Sequence, residues 1–374
     1  MSTNDVVKQA LESELSNITL AGSARVCVGF SGGVDSTVLL HAAAEYCAAE
    51  KRELIAIHVH HGLSKNADHW AQQAKNLCSL LSKKFSISIA CIIERVQLDE
   101  CSNGIEQSAR QARYQVFEKH CQPNDVLLQG HHLDDQLETF FMRAMRGSGL
   151  TGLSSIPGQR NLSRTHYCQI VRPLLSLEKA SILDYANQNE LNWVEDESNL
   201  DNDLDRNWWR NELLPLIWQR YPAHKQTLNR TIKNVQHEHD LLQRFIAEKI
   251  HLEDFVNPSD ENMIHPALVD IPHFNLSILD GFSLQDCFSY VRAWLAQHID
   301  ILPSAIQMQS IYIDLIQARE DSDPCIEWSE FRLRKHKNFL FLLSSDHFSN
   351  KKVITELEEN TWQGSSVNFT FGEL

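Results

Sequence analysis

The sequence predicts an α/β protein: a Rossmann-like, doubly wound parallel sheet followed by a smaller, mainly helical C-terminal domain. Three observations predict it. Short β-branched runs alternate with amphipathic stretches through the N-terminal part, the pattern of successive βαβ units. A glycine turn, Ser31-Gly-Gly-Val-Asp-Ser36, stands between the first such run and the helix after it. Beyond it all, a long helical pattern rich in Gln, His and Lys over 227–250 leads out of the first domain.

Taken in order, 25–30 reads as a buried strand, 36–49 as a helix, 54–60 as the next strand and 67–83 as its helix. A third strand over 86–93 precedes a helix over 105–120, and a fourth strand over 125–130 precedes a helix over 134–145. Gly147, Gly149, Gly152 and Pro157 then mark a loop that bends sharply or approaches a ligand. Ser176 followed by Leu-Glu-Lys signals a helix start, and Pro215 is expected to end the segment holding Trp208 and Trp209. The second domain closes with a strand over 331–343, and another alternating strand is expected over 367–371, after the acidic stretch 356–359. The boundaries are 1–215 for the α/β domain, 216–345 for the helical domain with its linker helix, and 346–374 for a final segment.

Composition excludes several classes. With 43% hydrophobic and 22% charged residues, the chain is neither disordered nor collagen-like. The absence of an 18-residue apolar run, and of a basic, apolar leader, predicts no membrane association and a cytoplasmic location. Nine cysteines without a CxxC pair read as free thiols. Net charge is −15, yet six basic residues from Arg206 to Lys233 face one acid, Glu212, directly after a stretch of seven acids from Glu190 to Asp205. A second basic cluster is Arg332, Arg334, Lys335 and Lys337; taken alone, a solvated helix face or edge strand is the simpler account of either cluster.

The residues 31–36 carry the strongest chemical signal. Two glycines let backbone amides turn toward an anion, and the helix N-terminus beside them adds partial positive charge. The hydroxyls of Ser31, Ser36 and Thr37 add donors. No lysine follows the glycines, so this is not the GxxxxGK[ST] loop. Asp35 sits inside the cradle, and a carboxylate beside phosphates makes sense with a bridging Mg2+.

This SGGVDS turn resembles the pyrophosphatase loop of the PP-loop ATPases, enzymes that cleave ATP to AMP and pyrophosphate. Six further motifs resemble those of the tRNA(Ile)-lysidine synthetase family within that superfamily. They are His58-Val-His-His-Gly-Leu63, Glu106 to Tyr114 with Arg110 and Arg113, Gly130-His-His-Leu-Asp-Asp135-Gln-Leu-Glu138-Thr139, Arg146 to Leu153, Arg172-Pro-Leu-Leu175, and Glu195 to Asn199 leading to Arg206-Asn207 and Arg210. The resemblance implies ATP and Mg2+ use, a tRNA(Ile) with a C34 anticodon, and free L-lysine as the second substrate. It implies adenylation of C34 at O2, then displacement of AMP by the lysine ε-amine at C2. The longer relatives it points to carry a further C-terminal domain that grips the acceptor stem, whose start residues 346–374 would be. A homodimer is compatible with the sequence, which leaves oligomeric state open.

The implied roles agree with the chemistry of the residues. Arg110 and Arg113, three apart on one helix, can point into one cleft where phosphate charge must be neutralised. Free lysine, with a pKa near 10.4, is deprotonated about once in 2,500 molecules at pH 7, so the second step needs a base. Asp135 and Glu138, at i and i+3, can hold the ammonium, take its proton or ligate metal, while Asp134 is expected to cap its helix. The expected catalytic set is Asp35, Arg113, Asp135 and Glu138, and the ATP set is Ser31, Gly32, Gly33, Val34, Asp35, Ser36, His58 and Arg110. Arg146, Gly149, Arg206, Asn207 and Arg210 are expected to meet tRNA, the glycine loop closing over an extruded cytidine.

Rival readings are a zinc site from the 58–61 and 131–132 histidines, which leaves the glycine cradle unexplained, and a PP-loop tRNA thiolase, which usually needs paired cysteines. An amidotransferase needs a glutaminase partner, and an inactive RNA-binding module has no use for Asp35, Asp135 and Glu138.

Overall fold

The computed structural model describes residues 3–344, apart from 19, 21, 23, 63, 98–104, 164–165, 196–204, 257–270, 300–301, 320–324 and 329–330. The expectations for Leu63, for 196–199 of the acidic motif, for 356–359, for the strand at 367–371 and for the domain start at 346–374 lie outside the described residues. The chain divides into two units, Met1–His239 and Asp240–Leu374.

The first unit carries α1 (Thr3–Ser16), β1 (Val26–Gly29), α2 (Val34–Glu50), β2 (Leu54–His60), α3 (Ala67–Phe85), β3 (Ile89–Arg95), α4 (Ile105–His120), β4 (Val126–Leu128) and α5 (Leu133–Met145). There follow α6 (Leu150–Leu153), β5 (Gln159–Asn161), β6 (Gln169–Val171), α7 (Lys179–Gln188), α8 (Asp205–Trp208), a π-helical turn Trp209–Leu213, and α9 (Leu214–Arg220). Its sheet has the order β3-β2-β1-β4-β6-β5, with every neighbouring pair parallel except β5 against β6. Because β1 lies between β2 and β4, the chain reverses direction of travel across the sheet there, and the crevice beyond the carboxyl ends of β1 and β4 is where such sheets bind ligands.

Strand alternation sends β1 residues to two cores. Val26 and Val28 pack with Leu39, Leu40 and Ala43 of α2 and Tyr185 of α7, whereas Cys27 packs on the other face with Ile55, Ile57 and Phe117. Both faces are covered, which is why these strands are apolar throughout rather than alternating. A third cluster, Leu133, Leu137 and Ile232, buries the inner face of α5 against the start of α10 (His224–Val256).

The second unit holds β7 (His273–Asn275), α11 (Leu284–His298), α12 (Ala305–Ser310), β8 (Cys325–Trp328), β9 (Phe331–His336) and β10 (Phe339–Ser344). Its antiparallel sheet runs β7-β10-β9-β8 and packs Leu333, Leu340 and Leu342 against Trp294 and Val291 of α11.

Several elements differ from expectation for physical reasons. The single strand over 331–343 is a hairpin, turned at Lys337 with φ 50°, a left-handed position usually marked by glycine or asparagine. Pro215 does not end its segment. It follows directly on the π-helical turn, and the helical run continues through it to Arg220. The second unit therefore carries more strand than the helical pattern suggested.

Candidate active site

The glycine turn leaves β1 and enters α2, with Gly33 as the residue before the helix and Asp35 in its first turn. Gly32 has φ 94°, which an L side chain resists. The loop is lashed to itself: Ser36 Oγ accepts from the backbone N–H of Ser31 and of Gly32, both at 3.2 Å, and donates to the Gly33 carbonyl at 3.0 Å. Gly130, at the end of β4, lets that strand approach the loop, since a Cβ there would lie 3.1 Å from the Asp35 carbonyl carbon and 3.2 Å from Ser36 N.

A cavity of about 810 Å3 opens at these strand ends, lined among others by Ser31, Asp35, Ser36, His58, Arg113 and His131. Gly32 faces a smaller cavity of about 250 Å3, shared with Trp193 and Val194. His58 is buried and donates from Nδ1 to the Phe30 carbonyl at 3.0 Å, tying β2 to the loop entrance. Burial lowers its pKa, which favours the neutral ring. Gly62 has φ 71°, the tight bend expected after β2. Arg110 does not line this cavity with Arg113; its guanidinium lies over the Tyr114 ring, 5.1 Å from the centroid.

Beside the cavity, four carboxylates meet four cations. Arg210 Nη2 lies 2.5 Å from Asp135 Oδ1 and 2.9 Å from Glu138 Oε2, and Arg206 Nε donates to Glu138 Oε1. Lys179 Nζ donates to Asp35 Oδ1 at 2.6 Å, and Lys225 Nζ to Asp134 Oδ1 at 2.7 Å. His132 lies among them, its Nε2 3.7 Å from Asp35 Oδ1 and 3.5 Å from Asp135 Oδ2. Asp135, not Asp134, caps α5. Asp135 accepts from the backbone N–H of His132 at the start of α5, whereas Asp134 turns away and accepts from Lys179 N at 3.0 Å, fixing the start of α7.

The two carboxylates on α5 are driven apart in acidity. Burial raises Asp135, but His132 and Arg210 outweigh it and bring its pKa down to about 2. Glu138 is 1% exposed, and its burial wins over the pull of Arg206 and Arg210, leaving it above the usual carboxylate range.

The structure thus brings Asp35, Asp135, Glu138, Arg206 and Arg210 into one cluster, Arg206 from α8 and Arg210 from the π-helical turn, while Asn207 is buried on α8. Arg146 and Gly149 lie elsewhere, at exposed positions, Arg146 within 3.9 Å of Asp205. The loop over 147–155 is pinned to α5 by Arg143 Nη1, which donates to the carbonyls of Gly152 and Ser155. Trp209 stacks on Phe141 with rings 11° apart, and Trp208 is 44% exposed. Lys179 and Lys225 carry no sequence signal as site residues, because their partners Asp35 and Asp134 stand 144 and 91 residues away in the chain.

A doubly wound sheet with a glycine loop at its switch point and a carboxylate-rich cleft defines a nucleotide-using α/β enzyme. Residues 3–217 match a family profile described as a PP-loop domain, and residues 274–341 match one described as a TilS substrate binding domain. The tRNA(Ile)-lysidine synthase of Haemophilus influenzae (strain PittGG) is 36% identical over 89% of this chain and 73% of its own length. That of Vibrio atlanticus (strain LGP32) is 36% identical over 90% and 72%, and that of Escherichia coli O157:H7 is 35% identical over 90% and 73%. The chain belongs to the tRNA(Ile)-lysidine synthase family, ligases that form a C–N bond. Among the described residues no helix is long and apolar enough to cross a membrane.

Proposed function

We propose that this protein uses ATP to adenylate O2 of C34 in a tRNA(Ile) with a CAU anticodon, and then joins free lysine to C2, releasing AMP. The observation that carries this reading is the adjacency of the 31–36 loop to the Asp135–Glu138 pair, which His132 bridges through Asp35 and Asp135, because the two half-reactions act on bonded atoms, O2 and C2, of one base. Ser31, Gly32, Gly33, Val34 and Ser36 would hold the phosphates, the loop's amides exchanging Ser36 Oγ for phosphate oxygens. Arg113 lines the cavity and suits the charge that grows on departing pyrophosphate. Arg110 would supply a second positive charge from its place on Tyr114.

The donor set fits magnesium brought in on a nucleotide. Asp35 offers one partly exposed carboxylate, and no three metal-binding side chains gather among the described residues, so phosphates would complete the shell. Bound there, Mg2+ supplies neutralisation of phosphate charge.

For the second step the pair divides the work. Asp135, held ionised, binds the lysine ammonium, and Glu138, the weaker acid of the two, takes its proton. Arg206 and Arg210 orient both carboxylates and, being 35% and 38% exposed, also face RNA phosphates. Arg146, Asn207 and Gly149 would complete that RNA surface. The test is pyrophosphate exchange: radiolabelled pyrophosphate enters ATP only when tRNA(Ile) bearing C34 is present. Exchange indifferent to RNA rejects the reading.

A further inference from the structure

Arg172 is 3% exposed, yet no carboxylate among the described residues pairs with it. Its guanidinium is satisfied by neutral acceptors: Nη1 donates to the Pro157 carbonyl at 2.7 Å and Nη2 to Gln129 Oε1 at 2.9 Å. The remaining edge, Nε, donates to His131 Nδ1 at 3.2 Å. Burial lowers even the arginine's pKa, to about 10, so this is a costly place for a cation. Its use is visible in what it does to His131.

An imidazole that accepts at Nδ1 must carry its hydrogen on Nε2. His131 lines the large cavity, and among the described residues no hydrogen bond engages its Nε2. Burial, then the charge of Arg172, brings its pKa down to about 3, so the ring stays neutral and is no general base. A cation behind Nδ1 also withdraws electron density from the ring and makes Nε2–H a stronger donor, the logic of a neutral histidine used as an electrophile. We propose that Arg172 is a positioning residue that fixes His131 as the Nε2–H tautomer, so that His131 donates a hydrogen bond to an oxygen of the nucleotide bound in the cavity. The second half of this rests on the reading that the cavity takes ATP; the first half does not.

Two measurements test it on the full chain. Nitrogen-15 spectra of histidine-labelled protein give the tautomer directly: His131 is expected as Nε2–H, and Arg172→Met is expected to mix the two forms. A wild-type Nδ1–H or mixed ring overturns the proposal even if the variant fails to fold. In pyrophosphate exchange, His131→Gln, whose amide N–H2 stands near the place of Nε2–H, is expected to keep at least tenfold more kcat than His131→Asn, whose amide mimics Nδ1. The Asn variant is expected to lose about a hundredfold, the scale for one charge-stabilising donor. Equal losses, or a better Asn variant, overturn the donor role. Absence of any RNA-dependent exchange in wild type would instead sink the ATP reading and leave the tautomer result standing.

Discussion

At the scale of residues, function is written as differences between chemically similar groups. Asp35, Asp135 and Glu138 are all carboxylates, but Asp35 sits at the loop mouth with Lys179, Asp135 is drawn strongly acidic among His132 and Arg210, and Glu138 is buried. Asp35→Asn is therefore expected to lower adenylation about a hundredfold or more, as removal of a charge that orders the phosphates should. Glu138→Gln keeps the volume and the hydrogen-bonding shape while removing the base. It is expected to lower lysine transfer about a hundredfold and to change adenylate formation far less; single-turnover assays of each step check the split, and equal losses contradict it. The i, i+3 spacing made Asp135 and Glu138 legible as a pair from the sequence alone. The cations that pair with the site's carboxylates were not legible as partners: Arg210 stands 75 residues from Asp135, and Lys179 stands 144 from Asp35. Arg206 and Arg210 were singled out for their charge, and their engagement of carboxylates became apparent only in three dimensions.

At the scale of elements, the long amphipathic helices and the strands that open βαβ units were readable because burial on one face imposes a period. The strand over 54–60 and the helix over 105–120 match β2 and α4. The three-residue strands β5 and β6 are too short to show a period, and the π-helical turn at Trp209–Leu213 leaves no mark in composition. One close approach decides the geometry of the site. Gly130→Ala places a methyl 3.1 to 3.2 Å from the backbone of Asp35 and Ser36, so strand and loop must part by a few tenths of an ångström. The variant is expected to fold with nearly unchanged Tm and to bind ATP about tenfold more weakly, a shift of about 1.4 kcal/mol. Unchanged affinity, measured by calorimetry, would remove the close approach from the account.

At the scale of the molecule, neutral buried histidines tie stability to pH. Burial, with Lys84 beside it, lowers His41 from 6.5 to about 4, and burial with Arg172 lowers His131 to about 3. The unfolded chain takes up both protons near pH 6.5 and the fold resists them, so stability is complete above that pH and falls as pH drops toward 4. At pH 5 the two together remove on the order of 4 kcal/mol at most. Thermal melts are expected to show a Tm markedly lower at pH 5 than at pH 7, and a flat profile contradicts this. The net charge of −15 does not oppose RNA binding where it matters, since the cleft's carboxylates are each matched by a cation. The most direct test of the whole account is nucleoside mass analysis of tRNA(Ile) incubated with the protein, ATP and isotopically labelled lysine. The account predicts labelled lysine joined to the wobble cytidine, with AMP released in equal amount. Unmodified cytidine at that position, with the protein folded and ATP bound, would contradict it.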